Sequence, residues 1–257
     1  MNKSVIPISI LLICFNIVFV SAHLERPGKL VDHDRTVTNC ARYKREANQH
    51  ACVLAPFTTE GPYFLPDDFE RSDITDGQVG IPLDLTIRLT NASDCLPLSD
   101  LYVHIWNANS TGHYSGVQEF NSFPEPTYRP KPIDDVRFLR GFQKTNEHGE
   151  VNFKTILPGW YYARCLHIHV EVYHKAIAES DSITYIGQLY FKRELPTQLR
   201  LVEPYSQNTN EILLNEQDRF FAADHGQDNI IELKSQDGSY TSYVTLGIDP
   251  DIMISVQ

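Results

Sequence analysis

Across residues 83–90 apolar and polar side chains alternate strictly, Leu83, Leu85, Ile87 and Leu89 being separated by Asp84, Thr86, Arg88 and Thr90. A period of two puts the apolar set on one face of an extended chain, so the segment predicts a half-buried β-strand. LYVHIW from Leu101, EVNFKTIL from Glu150, HIHVEV from His167 and GQLYFK from Gly187 continue the series, separated by clusters of Pro, Gly, Asn and Asp. Long helical periodicity is absent between them. Short strands at this spacing predict an all-β fold, an antiparallel β-sandwich, over a parallel α/β sheet. Towards the C-terminus EILLNEQDRFFAAD reads as helical and SYTSYVTLGI as a final strand. Four prolines, Pro124, Pro126, Pro130 and Pro132, make residues 123–136 a long irregular loop, a length that often carries function.

The N-terminus departs from this pattern. Residues 1–22, MNKSVIPISILLICFNIVFVSA, carry Lys3, an apolar run over residues 8–20 and small residues Ser21 and Ala22, the layout of a cleaved secretory signal. A membrane-crossing helix needs about 20 apolar residues, and this run is shorter and interrupted by Asn16. No later segment is long and apolar enough to span, so no membrane association is expected after cleavage. Residues 23–57 are charged, with Lys44, Arg45 and Glu46 near a short helix expected between Cys40 and Cys52; they read as an N-terminal arm on a single domain spanning residues 58–257.

Composition sets the compartment and excludes some partners. At 257 residues and 42% hydrophobic, the chain can bury a large core. Losing Lys3 with the signal takes the 22 basic residues to 21 against 33 acidic ones, a net charge of −12, which disfavours nucleic acid as a partner. Cys14 leaves too, and the remaining Cys40, Cys52, Cys95 and Cys165 are an even set suited to an oxidising compartment. Four cysteines allow three connectivities, of which the short Cys40–Cys52 loop is the expected bridge. No Cys-x-x-Cys is present, which argues against a thiolate zinc site. The sequons Asn91-Ala-Ser and Asn109-Ser-Thr are consistent with export.

Chemistry concentrates in ILPGWYYARCLHIHVEVYH, residues 156–174. In a strand His167, His169, Glu171 and Tyr173 share a face, opposite Ile168, Val170 and Val172. Same-face histidines lie about 7 Å apart at Cα, within reach of one metal ion; the pair equally suits the wet face of a sandwich strand. Tyr161 follows the turn Pro158-Gly159-Trp160, and Tyr114 follows the strand VHIW in ANSTGHYSG; either is a packing residue or a ligand.

Taken together, EGPYF at Glu60, LTN with CLPL, VHIWNANSTGHYSG, FLRGFQKTNEHGEVNFKTILPGWY, RCLHIHV and GQLYF occur in an order that resembles the intradiol ring-cleavage dioxygenases, in particular their secreted single-domain branch. The resemblance runs from about Glu60 to LGID at Leu246 and implies one non-haem Fe(III) ion held by Tyr114 (in G-x-Y-S), Tyr161 (in P-G-x-Y), His167 and His169. It makes Trp160, Tyr162, His113, Tyr173 and His174 neighbours, places Arg164 and Gln188 beside the substrate, makes Tyr161 the ligand that departs when substrate binds, and gives Tyr63 contact with the aromatic ring. The expected substrates are a catechol and O2, the product a muconate-type diacid, and the enzyme a secreted monomer. One departure is HIWNANS, in which His104, Asn107 and Asn109 stand where the family usually has Asp, His and Asp, and Ala108 where the secreted branch often has cysteine.

Physical chemistry agrees with such a centre. A phenol titrates near pH 10, so two tyrosinates at neutral pH need a strong cation. Two tyrosinates and a hydroxide neutralise Fe(III) while the imidazoles stay neutral, leaving no net charge to bury. Two other readings make different demands. A secreted binding module would hold a structural metal in a closed four-ligand centre, and a zinc hydrolase would use His167, His169 and an acid such as Glu171.

Overall fold

The computed structural model describes residues 29–32, 55–66, 69–118, 131–175 and 183–255. Its strands are β1 (Lys29–Asp32), β2 (Pro82–Asn91), β3 (Tyr102–Trp106), β4 (Arg140–Lys144), β5 (Glu150–Ile156), β6 (His167–Tyr173), β7 (Ile183–Tyr190), β8 (Lys234–Gln236), β9 (Ser239–Ile248) and β10 (Ile252–Ser255). Two short helices, α1 (Leu195–Leu199) and α2 (Arg219–Ala223), lie between β7 and β8. A six-stranded sheet in the order β1-β10-β7-β6-β3-β4 and a four-stranded sheet in the order β5-β2-β9-β8 form the all-β sandwich. Pairing is antiparallel except for β1 with β10 and β2 with β9, which run parallel. Alternation along a strand carries no information about the direction of its neighbour, so those pairings were not legible beforehand.

The alternation in β2 is realised: Leu83, Leu85, Ile87 and Leu89 are buried while Asp84 is exposed. They share one core with Val103 and Ile105 of β3, which pair with Val172 and Val170 of β6. β6 and β7 differ from β2 because every one of their residues is buried. A strand covered on both faces has no wet side, so the histidine face of β6 is enclosed rather than open to solvent.

Several boundaries moved. The strand expected at GQLYFK begins earlier, at Ile183, and ends at Tyr190. EILLNEQDRFFAAD is a 3₁₀ turn over Asn215–Gln217 followed by α2, broken at Asp218, whose carboxylate caps the amides of Phe220 and Phe221. That cap starts a new helix where continuous periodicity had suggested one element. SYTSYVTLGI is β9, with β10 beyond it as the last strand. β1, β4 and α1 had no sequence signal. The expected signal at residues 1–22, the helix near Cys40 and the Cys40–Cys52 bridge lie outside the described residues, as do residues 119–130; residues 131–136 are in neither helix nor strand. Cys165 is a free, buried thiol, and Cys95 is disulfide-bonded to a partner outside the described residues. Among the described residues no helix is long and apolar enough to cross a membrane.

Candidate metal centre

Strand register lines up the first part of the site. Trp106 of β3 pairs with His169 of β6, which pairs with Gln188 of β7, and two residues along His167 pairs with Tyr190. Directly opposed residues project to the same face, so these five side chains share one side of the six-stranded sheet. The Trp106 indole lies parallel to the His169 imidazole, with ring centroids 4.6 Å apart at 5°.

Loops bring in the rest. After β5 the chain passes Pro158-Gly159-Trp160 and turns at Tyr161, with the Arg164 amide donating to the Tyr161 carbonyl at 3.3 Å and Ala163 at φ +55. Successive side chains diverge in such a turn: Tyr161 is 8% exposed and points inward, whereas Tyr162 is 54% exposed. Tyr114 arrives on the loop after β3, which packs against the Trp160 turn. A Cβ on Gly112 would stand 2.2 Å from the Trp160 carbonyl oxygen, and its φ of +89 also favours glycine. Gly61, at φ +78, would place a Cβ 3.2 Å from His169 Cε1, so a side chain there would adopt a strained backbone and crowd the imidazole that the EGPYF segment crosses. Two residues on, Tyr63 stacks on Tyr114 at 4.6 Å and meets the Tyr161 ring edge-on at 5.5 Å.

Four donor groups converge. Tyr161 Oη lies 3.3 Å from His167 Nε2, which lies 3.0 Å from His169 Nε2. The ring centroids of Tyr114 are 5.3 Å from Tyr161 and 6.2 Å from His169. His167 Nδ1 sits 2.7 Å from the Cys165 carbonyl, which can only accept, so the proton of the neutral ring resides on Nδ1 and Nε2 presents a lone pair. Burial pushes both imidazoles well below the usual histidine range, with the Arg164 charge adding to the effect. Burial likewise pushes the Tyr114 and Tyr161 phenols above their ordinary value, although Arg164 pulls the other way. Among the described residues Tyr114 Oη and His169 Nδ1 are buried with no hydrogen bond of ordinary geometry. Facing imidazole nitrogens and buried phenols that need a cation to ionise fit a hard, highly charged metal ion.

Glu171 does not join this group. Its carboxylate accepts from Tyr173 Oη at 2.5 Å, and among the described residues no three His, Cys, Asp or Glu side chains come together as a metal cluster. The zinc-hydrolase reading therefore lacks its third ligand. Of the residues where HIWNANS departs from expectation, His104 stacks on Phe142 at 4.7 Å, and Asn107 accepts from Thr155 Oγ1 at 3.0 Å. Asn109 closes the loop that carries Tyr114, its Oδ1 accepting from Thr111 and His113.

Beside the donors lies a buried polar chain. Arg164 donates from Nη1 to Tyr161 Oη at 3.3 Å, from Nη2 to Gln188 Oε1 at 2.5 Å and from Nε to Asp218 Oδ2 at 2.8 Å. Gln188 also accepts from Tyr190 Oη and donates to the Thr59 carbonyl, linking the EGPYF segment to the arginine. Burial opposes the charge on Arg164, yet Tyr161 and Asp218 hold its pKa above the ordinary value. Asp218 resists the upward pull of burial through Arg164 and the Cys165 amide, and stays below the usual carboxylate range. All seven residues singled out from the sequence thus lie in one buried assembly. Asp218, Trp106 and Gly61 were missed: an aspartate before Arg-Phe-Phe signals a helix cap, but nothing in the sequence reveals its reach to Arg164.

No protein-family model and no curated protein matches the chain. Solved structures do. An intradiol ring-cleavage dioxygenase from Tetranychus urticae is 35% identical with a TM-score of 0.68, the match covering 77% of this chain and 96% of that one. A further dioxygenase crystal structure matches at 34% identity, TM-score 0.68 and the same coverage. The dioxygenase domain of a carbohydrate-binding fusion from Streptomyces sp. SirexAA-E, at 24% identity, TM-score 0.50 and coverage of 76% and 98%, shares the fold. With more than a third of its aligned residues identical over nearly the whole length of the mite enzyme, the chain belongs to the intradiol ring-cleavage dioxygenase family.

Proposed function

We propose that the protein is a secreted, Fe(III)-dependent enzyme that opens a catechol-type ring with O2 and releases a cis,cis-muconate-type diacid. The observation that carries this reading is the convergence of Tyr161 Oη, His167 Nε2 and His169 Nε2 at successive separations of 3.3 and 3.0 Å, with Tyr114 Oη buried beside them. Tyr114, Tyr161, His167 and His169 would hold the ion. Ferric iron there would supply a Lewis acid that acidifies the catechol hydroxyls and couples the ring electronically to O2.

The chain's own groups have separate tasks. Tyr161 Oη is the base that takes a proton from one catechol hydroxyl as substrate enters. Arg164, whose Nη1 already reaches that oxygen, keeps its positive charge beside the space Tyr161 vacates and stabilises negative charge on the ring. Gln188 holds the guanidinium from β7, and Tyr63 offers an aromatic surface to the substrate. Catechol and O2 balance the product without a third reactant: the bond between the two oxygen-bearing carbons breaks, and each new carboxyl combines one original oxygen with one from O2.

Supplying labelled O2 with catechol to the iron-replete protein tests the reading. A ring-opened diacid carrying two labelled oxygens is expected. An extradiol semialdehyde overturns the intradiol assignment, and no oxygen uptake across a broad panel of catechols overturns the reading in favour of a binding module with a structural metal.

A further inference from the structure

Beyond residues 1–22 the chain carries two sequons, at opposite ends of the sandwich, and their amides are used differently. Asn109 is consumed by the fold. Its Oδ1 accepts from the Thr111 amide at 3.1 Å, Thr111 Oγ1 at 3.0 Å and the His113 amide at 3.0 Å, while its Nδ2 donates to Gln78 Oε1 at 3.2 Å. Its backbone is equally committed, the carbonyl accepting from the Gly112 and Gly159 amides at 2.9 and 3.0 Å. Ala108 and Ser110 on either side are buried, and a Cβ on Gly159 would meet the Asn109 carbonyl oxygen at 2.4 Å. An aspartate would make the same three acceptor bonds, so the sequon here is explained by the loop that presents Tyr114.

Asn91 ends β2, whose ten residues span about 30 Å. Pro82, at the other end of β2, pairs with Ile156, the last residue of β5 before the turn that carries Tyr161, so Asn91 faces away from the metal centre. Its Oδ1 accepts from the Ser93 amide and hydroxyl at 2.8 and 2.7 Å, but its Nδ2 makes no hydrogen bond among the described residues. Ser93, Asp94 and Leu96 around it are exposed. From this asymmetry we infer that the mature protein is N-glycosylated at Asn91 and not at Asn109, an inference that rests on the export proposed above. In the transfer, the bond from the sugar C1 to the diphosphate of a polyprenyl-diphosphate-linked oligosaccharide breaks. C1 bonds to Asn91 Nδ2, the amide loses one proton, and polyprenyl diphosphate leaves. A sugar on Asn109 Nδ2 would have to stand where Gln78 and the Tyr114 loop close, so a chain modified there cannot complete the site.

The test uses the full chain expressed in a eukaryotic secretory host, with its own leader and, in parallel, behind the host's leader. Intact mass and peptide mapping are read before and after peptide N-glycosidase, which leaves aspartate at a modified asparagine. One glycan is expected on the wild type, retained by Asn109→Asp and lost from both Asn91→Gln and Ser93→Ala. Export behind the host's leader only, with the glycan on Asn91, sinks the reading of residues 1–22 and upholds this one. A glycan on Asn109, one that survives Asn91→Gln, or a secreted wild type with none overturns it.

Discussion

Tyr161 and Tyr162 are chemically identical neighbours, and the turn closed by Arg164 buries one and exposes the other. Tyr161→Phe should shift the visible charge-transfer band of the iron-loaded protein and reduce kcat about 100-fold, the scale of a lost acid–base group. Tyr162→Phe should alter neither; reversed effects in absorption spectra and turnover assays would show that the base had been misassigned. Arg164→Ala should keep iron and colour but lose roughly 100- to 1,000-fold in rate, as for removal of one preorganised charge donor. Asp218 acts at one remove, fixing the guanidinium through Nε while capping α2. Asp218→Asn retains an acceptor for the Phe220 amide but removes the charge facing Arg164. It should lower kcat with little change in KM and leave the spectrum intact, with partial rescue by Asp218→Glu; a loss that merely followed the unfolded fraction in urea would make Asp218 structural only.

At the scale of elements, β2 and β6 illustrate what a pattern can carry. β2 alternates because only one of its faces is covered, and its apolar positions were readable as core. Leu85→Ala, at a position 1% exposed, should cost about 2–5 kcal/mol in a urea titration, whereas exposed Asp84→Asn should stay within about 0.5 kcal/mol. β6 also alternates in character, yet it is buried on both faces because the loops before β2, after β3 and after β5 fold over it. Those loops tolerate little: Gly61→Ala forces an unfavourable φ and presses on His169. It should lower both stability and iron occupancy, measured as melting temperature and iron per chain; unchanged iron content would show that the segment yields without disturbing the imidazole.

For the whole molecule, the covalent framework is the open comparison. Cys165 is free and Cys95 is bonded. If Cys14 leaves with the signal expected from the sequence, Cys40 and Cys52 are the candidates to pair with Cys95, which competes with the short bridge expected from the sequence. Peptide mapping without reduction should recover Cys95 joined to one of these two, tying the N-terminal arm to the sandwich, and a Cys40–Cys52 peptide would exclude that pairing. A bridge closing a loop of this size is worth about 4 kcal/mol on the chain-entropy model, so reduction should lower the urea midpoint. Intact mass of exported protein should begin at His23, and retention of residues 1–22 would refute cleavage after Ala22.

The sequence by itself determined the class of fold and most of the cast. Strand periodicity is local, set by which face of a few consecutive residues meets the core, and His167 and His169 fall on one face through the same geometry. The motif order that resembled the family named Tyr114, Tyr161, Arg164, Gln188 and Tyr63 without locating them in space. Only the tertiary structure decided which strands run parallel, that the histidine face is sealed, and that Asp218 reaches back across 54 positions to Arg164. It also decided that Asn109 is spent on a loop through both amide atoms, while among the described residues Asn91 is engaged through Oδ1. Each of these depends on groups distant in sequence meeting in a medium without water, where an unpaired polar atom is costly and a partner is chosen by register and loop closure rather than by neighbouring residues.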